Sequence, residues 1–90
     1  MILQKSQFVH QLRIGANRIL LIHAVSHLRL AIDGEVAQVI DFFAQPRSWP
    51  EEYIGLAKLV PHDQETLSGF IGSLTERGIL TEQGADEEVA

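Results

Sequence analysis

The chain contains no cysteine in 90 residues, and this constrains its fold more than any other single feature. Near the lower size limit for an independent core, small domains commonly add disulfides or a thiolate-bound zinc ion. Neither is open to this sequence, so one hydrophobic core must hold it together by packing alone. The means are present: 46% of the residues are hydrophobic and 21% charged, far from the low-hydrophobicity, high-charge compositions that stay disordered. There is no room for a second core.

The absence of cysteine fits a reducing compartment, and a cytoplasmic location is the simplest expectation. Met1-Ile2-Leu3-Gln4-Lys5-Ser6 lacks the apolar run and small-residue cleavage site of a secretory signal, and no segment approaches the roughly 20 apolar residues that span a bilayer. No membrane partner is expected. Residues 83–90 read as a flexible acidic tail, whose abrupt end is what a piece cut from a longer chain would show. Residues 1–82 read as one domain.

The net charge of −5 conceals an asymmetry. Lys5, Arg13, Arg18 and Arg29 stand in residues 1–32 without one acidic residue, and every Asp and Glu follows from Asp33 onward. Overall acidity weighs against duplex DNA, whose binding depends on neutralising phosphates, so no nucleic-acid partner is expected. The basic N-terminal part would attract an acidic peptide, although four solvated cations with no partner explain the same charges.

Hydrophobic periodicity divides the chain. Over residues 7–14, Phe8, His10, Leu12 and Ile14 alternate with Val9, Gln11 and Arg13, the period of two that places one set on the core face of a strand. Gly15-Ala16-Asn17 reads as a hairpin turn, since Gly and Asn tolerate positive φ. Arg18 to Ala24 predicts a more buried strand, and His27 to Ile32 a third, with Leu28, Leu30 and Ile32 inward and His27, Arg29 and Ala31 outward. Helix is the competing reading for residues 18–32, because short apolar runs are ambiguous by periodicity.

Beyond the break at Asp33-Gly34, Val36, Val39, Ile40 and Phe43 recur at i, i+3, i+4, i+7 and form one helical stripe, which Pro46 ends. Ser48 and Glu51 have the spacing of a capping box, predicting a second helix from Trp49 with Tyr53, Ile54, Leu56, Ala57 and Val60 facing the core until Pro61. Asp63 suits the N-cap of a third helix carrying Leu67, Phe70, Ile71 and Leu74, with Gly78 at its left-handed C-terminal position. Ile79-Leu80-Thr81 leaves as an extended segment. The expected fold is α+β, a three-stranded antiparallel β-ribbon followed by three helices.

No convergent chemistry stands out. His10, His23, His27 and His62 lack the spacing of a metal set, which needs three or four converging ligands. Glu51-Glu52 and Glu87-Glu88 are adjacent and cannot share a face as acid and base. No serine lies in a nucleophile elbow and no glycine run has phosphate-loop spacing. An enzyme is not expected, nor a cofactor. Trp49 reads as a packing anchor. The oddity is Gly69 and Gly72 inside the third helix, at a cost of about 1 kcal/mol each relative to alanine. On a helical wheel they lie with Ser73 opposite the core side, flanked by Phe70 and Arg77. That pattern reads either as close packing or as a shallow trough for a bound chain.

The order of strands then three helices, with Leu74-Thr75-Glu76-Arg77-Gly78-Ile79-Leu80 closing the last one, resembles a winged helix-turn-helix domain. With the ribbon, the acidic balance and the length, the span from Gln7 to Glu82 is similar to the PqqD-like leader-peptide recognition elements of ribosomal peptide natural-product biosynthesis. The resemblance implies that a precursor's leader peptide adds as a strand to the outer edge of the third strand and lies against the third helix. It would thus be presented to a modifying enzyme, in cis or in trans. On this sequence the edge would be Ser26, His27, Leu28, Arg29, Leu30, Ala31 and Ile32, and the facing helix would supply Phe70, Ser73, Leu74 and Arg77. Arg29 and Arg77 would favour an acidic leader. Two alternatives stay open: a winged-helix transcription regulator, which two glycines and a single arginine on the third helix disfavour, and a structural docking or dimerisation domain.

Overall fold

A computed structural model describes residues 1–82. The protein is α+β, with two three-stranded antiparallel sheets and three helices. One sheet has the order β5-β1-β6 and the other β2-β3-β4, where β1 is Ile2–Lys5, β2 Val9–Gly15, β3 Arg18–His23, β4 Arg29–Asp33, β5 Arg47–Ser48 and β6 Leu80–Glu82. The helices are α1 (Gly34–Phe42), α2 (Tyr53–Ala57) and α3 (Gln64–Glu76). The expected tail, residues 83–90, lies outside the described residues.

Arg18–His23 and Arg29–Asp33 are strands, and no part of residues 18–32 is helix. β2, β3 and β4 form a meander in which Val9 faces His23, Leu12 faces Leu20, and Leu20 in turn faces Ala31. Strand alternation then assigns two faces. Val9, Leu21, His23 and Ile32 are buried on the inner one, whereas Leu12 and Ile14 point outward at 58% and 52% exposure. The β2–β3 turn differs from expectation: neither Gly15 nor Asn17 adopts positive φ. Instead the register shifts between Arg13 and Gly15, Arg13 donates to the Ala16 carbonyl at 3.2 Å, and Asn17 Oδ1 accepts the Gly34 N–H at 3.1 Å. The side chain of Asn17 thus ties the hairpin to the start of α1.

The positive φ falls at His27 (63°), between β3 and β4. There His23 Nδ1 accepts the N–H groups of Val25 and Ser26, each at 3.2 Å. An imidazole nitrogen that accepts carries no proton, so one buried side chain satisfies two turn amides that would otherwise lack partners.

Helix α1 begins where Asp33 Oδ1 accepts the Val36 N–H at 2.9 Å, an N-cap that satisfies an orphan amide. Its stripe buries Val39, Ile40 and Phe43 completely. The helix stops at Phe42, ahead of Pro46.

Helix α2 starts at Tyr53 rather than Trp49, because the preceding backbone belongs to a sheet. Ser48 pairs with Ile2 in β5, Trp49 N–H donates to the Met1 carbonyl at 2.8 Å, and the Trp49–Pro50 peptide is cis. The carboxylate that meets the Ser48 N–H is that of Glu52, at 2.7 Å, not Glu51. Glu52 also receives Arg47, 3.3 Å away, whose guanidinium stacks 4.5 Å above the Phe42 ring.

Helix α3 is capped at both ends as its sequence predicts. Asp63 Oδ1 accepts the Thr66 N–H at 2.7 Å. Gly78 takes φ +75° while Ile79 N–H returns to the Leu74 carbonyl and Gly78 N–H to that of Thr75, the two bonds of a Schellman ending. This reversal sends Leu80 alongside Lys5 and Glu82 alongside Leu3. The core that results contains Leu3, Leu21, Ile40, Phe43, Leu56, Leu67, Ile79 and Leu80, each at most 1% exposed, and so draws on both sheets and all three helices.

Candidate functional site

β4 is the last strand of its sheet and pairs on one side with β3, so its other side has no partner strand among the described residues. The hydrogen-bond phase follows from His23 N–H, which donates to the Leu28 carbonyl at 2.9 Å. Antiparallel strands alternate bonded and non-bonded positions. The Leu28 carbonyl and the backbone groups of Leu30 and Ile32 therefore turn toward β3, and Arg29 and Ala31 turn theirs outward along the free edge.

Beside this edge a cleft of about 280 Å³ opens between β4, α1 and α3, lined by Leu30, Ala31, Ile32, Asp33, Val36, Phe70, Ser73, Leu74 and Arg77. Leu74 is buried, and Phe70, Val36 and Leu30 are partly buried against the core. The cleft thus has an apolar floor with a cation at the C-terminal end of α3, where Arg77 is the C-cap. The two ion pairs among the described residues are Arg47 with Glu52 and His62 with Glu35, so Arg77 is unpaired there.

Phe70 is held from behind. Its ring stands perpendicular to that of His62, centroids 5.6 Å apart. His62 Nε2 in turn lies 2.8 Å from Glu35 Oε1. A carboxylate only accepts, so Nε2 carries the proton. The His62 carbonyl accepts the Tyr53 hydroxyl at 2.9 Å. The loop before α3 is thereby braced by α1 and α2 together. Next to it, hydrogen bonds from Thr66, reinforced by the nearby His62, hold the Asp63 carboxyl below its ordinary pKa despite a small opposing effect of desolvation.

Seven of the eleven residues expected at the site line this cleft: Leu30, Ala31, Ile32, Phe70, Ser73, Leu74 and Arg77. The other four do not. Ser26 and His27 lie in the turn before β4, where Ser26 Oγ caps the Leu28 N–H at 3.4 Å. Leu28 packs on the core, and Arg29 opens β4 with its exposed side chain on the outer face of the sheet. Arg77 therefore carries the positive charge of the cleft without Arg29. Asp33 and Val36 join the lining although neither was expected there. The signal for Val36 was its place at the edge of the α1 stripe, but that it meets β4 and α3 depends on the packing.

The glycines of α3 point elsewhere. Gly72 lines a second, more apolar cleft of about 380 Å³ with Met1, Leu3, Trp49, Pro50, Ser68, Ile71 and Thr75, and Gly69 lines neither. A Cβ at either position would meet nothing within 4 Å, so close packing does not require them. Trp49 forms a wall of this second cleft, 4% exposed, with its Nε1 donating to Ser68 Oγ at 3.3 Å.

Among the described residues no three His, Cys, Asp or Glu side chains converge on a point that could hold a metal ion, and no helix is long and apolar enough to cross a membrane. No known family model matches the chain, and no characterised protein matches it significantly.

Proposed function

We propose that the protein binds a peptide as an added antiparallel strand on β4, as the PqqD-like recognition elements that its sequence resembles do with leader peptides. The observation that carries this reading is the edge of β4 running directly beside an apolar cleft that ends in an arginine with no ion pair among the described residues. In strand addition the main chain supplies affinity and side-chain pockets supply selectivity, and both parts are present here. A peptide strand would bond to the outward amide and carbonyl of Ala31, seat an apolar side chain between Leu30, Val36, Phe70 and Leu74, and place an acidic one by Arg77. On this reading the fold is a winged helix-turn-helix variant serving as an adaptor in the biosynthesis of a ribosomal peptide, with a precursor leader as its ligand and a modifying enzyme as its client. The helix that a DNA reader would insert into the major groove carries Glu65 and Glu76 in its first and last turns, which favours a peptide over DNA.

The test is titration calorimetry with the leader segments of short precursors encoded beside the gene. Binding in the micromolar range or tighter is expected. Ala31→Pro removes an outward N–H and leaves the β3 ladder intact, which an edge position tolerates. It should abolish binding while the circular dichroism spectrum is unchanged, and Arg77→Glu should weaken binding at least tenfold. No binding by any such precursor, or undiminished binding by a folded Ala31→Pro variant, refutes strand addition at this edge.

A further inference from the structure

The outer face of the β2-β3-β4 sheet, turned away from the core, is not the surface of an ordinary solvated strand pair. Its middle row is Leu12, Leu20 and Ala31, placed side by side by the strand register. Ile22 extends the patch between His10 and Arg29, and Ile14 extends it toward the hairpin, where Leu12 and Ile14 are each more than half exposed. Contiguous exposed apolar surface rimmed by polar groups marks an interaction site. The rim here is cationic, with Arg29 at one end and Arg18 at the other. Asp33 is the single acidic residue in this sheet, and its carboxylate is already engaged as the N-cap of α1.

From this arrangement we propose that the outer face docks a partner protein whose contact surface is apolar at its centre and acidic at its rim. Charge complementarity identifies the occupant, since opposite charges around a desolvated apolar centre are how interfaces steer and select their partners. A second copy docking face to face would set Arg29 and Arg18 against their own kind. The face lies on the opposite side of the sheet from the Leu30 and Ile32 side chains that line the cleft, so both surfaces can be occupied together. That the occupant is the enzyme acting on the captured peptide rests on the adaptor reading above; its apolar and acidic character does not.

The experiment places a photo-crosslinking benzoylphenylalanine at Leu12 in the full chain, in the cells that make it, with Gly69 on α3 as the control position. The expected result is one adduct from position 12, absent from position 69, joined through a segment rich in Asp and Glu. The purified partner should then bind the wild-type protein with an affinity that falls as salt is raised. Leu12→Glu and Arg29→Glu should each reduce that affinity at least tenfold, and Leu12→Ser, a milder change, should reduce it measurably in a protein whose melting temperature is retained. Peptide binding at β4 should be unaffected by Leu12→Ser, so failure of either surface is read separately. No adduct, an adduct with a second copy of this chain, or a partner that binds the folded Leu12→Ser and Arg29→Glu proteins as tightly as wild type overturns the proposal.

Discussion

His62 Nε2 and Glu35 Oε1 meet at 2.8 Å, joining the loop that leads into α3 to the first turn of α1. The pair is 33% and 45% exposed, so its direct contribution to stability is small, well under about 1 kcal/mol after screening by solvent. Its effect on the cleft is larger, because the same imidazole stands against Phe70. Glu35→Ala should leave the melting temperature within a few degrees of wild type while weakening peptide binding several-fold. Calorimetric titration beside thermal denaturation separates the two effects. A loss of stability with unchanged affinity would show that Glu35 does not position Phe70.

The two kinds of glycine in and after α3 should respond oppositely to alanine. A methyl group at Gly72 meets nothing within 4 Å, so Gly72→Ala should stabilise the protein by up to about 1 kcal/mol through helix propensity. Gly78 sits at φ +75°, where a Cβ is strained, and Gly78→Ala should destabilise by about 1 kcal/mol. Urea denaturation of both variants checks the contrast.

Gln11 Nε2 is buried without a hydrogen-bond partner among the described residues, on a β2 residue that faces Leu21 across the ladder. An unsatisfied buried donor costs about 1 to 3 kcal/mol, and removing it together with its desolvation penalty is neutral or favourable. Gln11→Leu should therefore raise the urea midpoint by an amount equivalent to about 1 kcal/mol.

Asp63 provides a pH dependence with a definite sign. Hydrogen bonds from Thr66 depress its pKa in the folded protein, so the folded state binds fewer protons there than the unfolded state. The stabilisation is complete above the ordinary carboxylate value and is lost as pH falls through the lowered one. Asp63→Ala should lower the melting temperature at neutral pH and reduce its fall below about pH 4, close to the ordinary aspartate pKa. An acid limb of the same steepness in wild type and variant would refute this assignment.

How much of this was legible in advance varies with the range of the interaction concerned. The Asp63 cap and Gly78 reversal of α3 involve neighbours a few residues apart, and the sequence states them outright. The strand β2 also follows from local alternation, whereas periodicity left helix open for residues 18–32 and the pairing of β3 with β2 and β4 decided for strand. The strand β1 was not foreseen: Ile2–Lys5 is too short to show a period, and its partners Arg47, Ser48 and Leu80 to Glu82 lie far along the chain. The same pairing explains the late start of α2, since Ser48 and Trp49 are bonded to residues 1 and 2 and so are not helical.

For the candidate site, residue types on β4 and α3 were readable, but their directions were not. Alternation told inward from outward on β4, yet only the bonding of His23 to Leu28 determined which backbone groups face the open edge. Likewise the wheel of α3 grouped Gly72 with Ser73, and packing separated them, Ser73 into the cleft beside β4 and Gly72 into the one beside Trp49. By itself the sequence determined that a cysteine-free chain of this size folds on one core, where α3 is capped, and that four of its cations precede every acid. Tertiary structure alone decided which sheet each strand joins, that Leu12 and Ile14 face outward, and that Arg77 rather than Arg29 charges the cleft. The physical reason is that periodicity and capping are set by residues within a turn or two of one another, whereas edges, clefts and faces exist only once distant segments have paired.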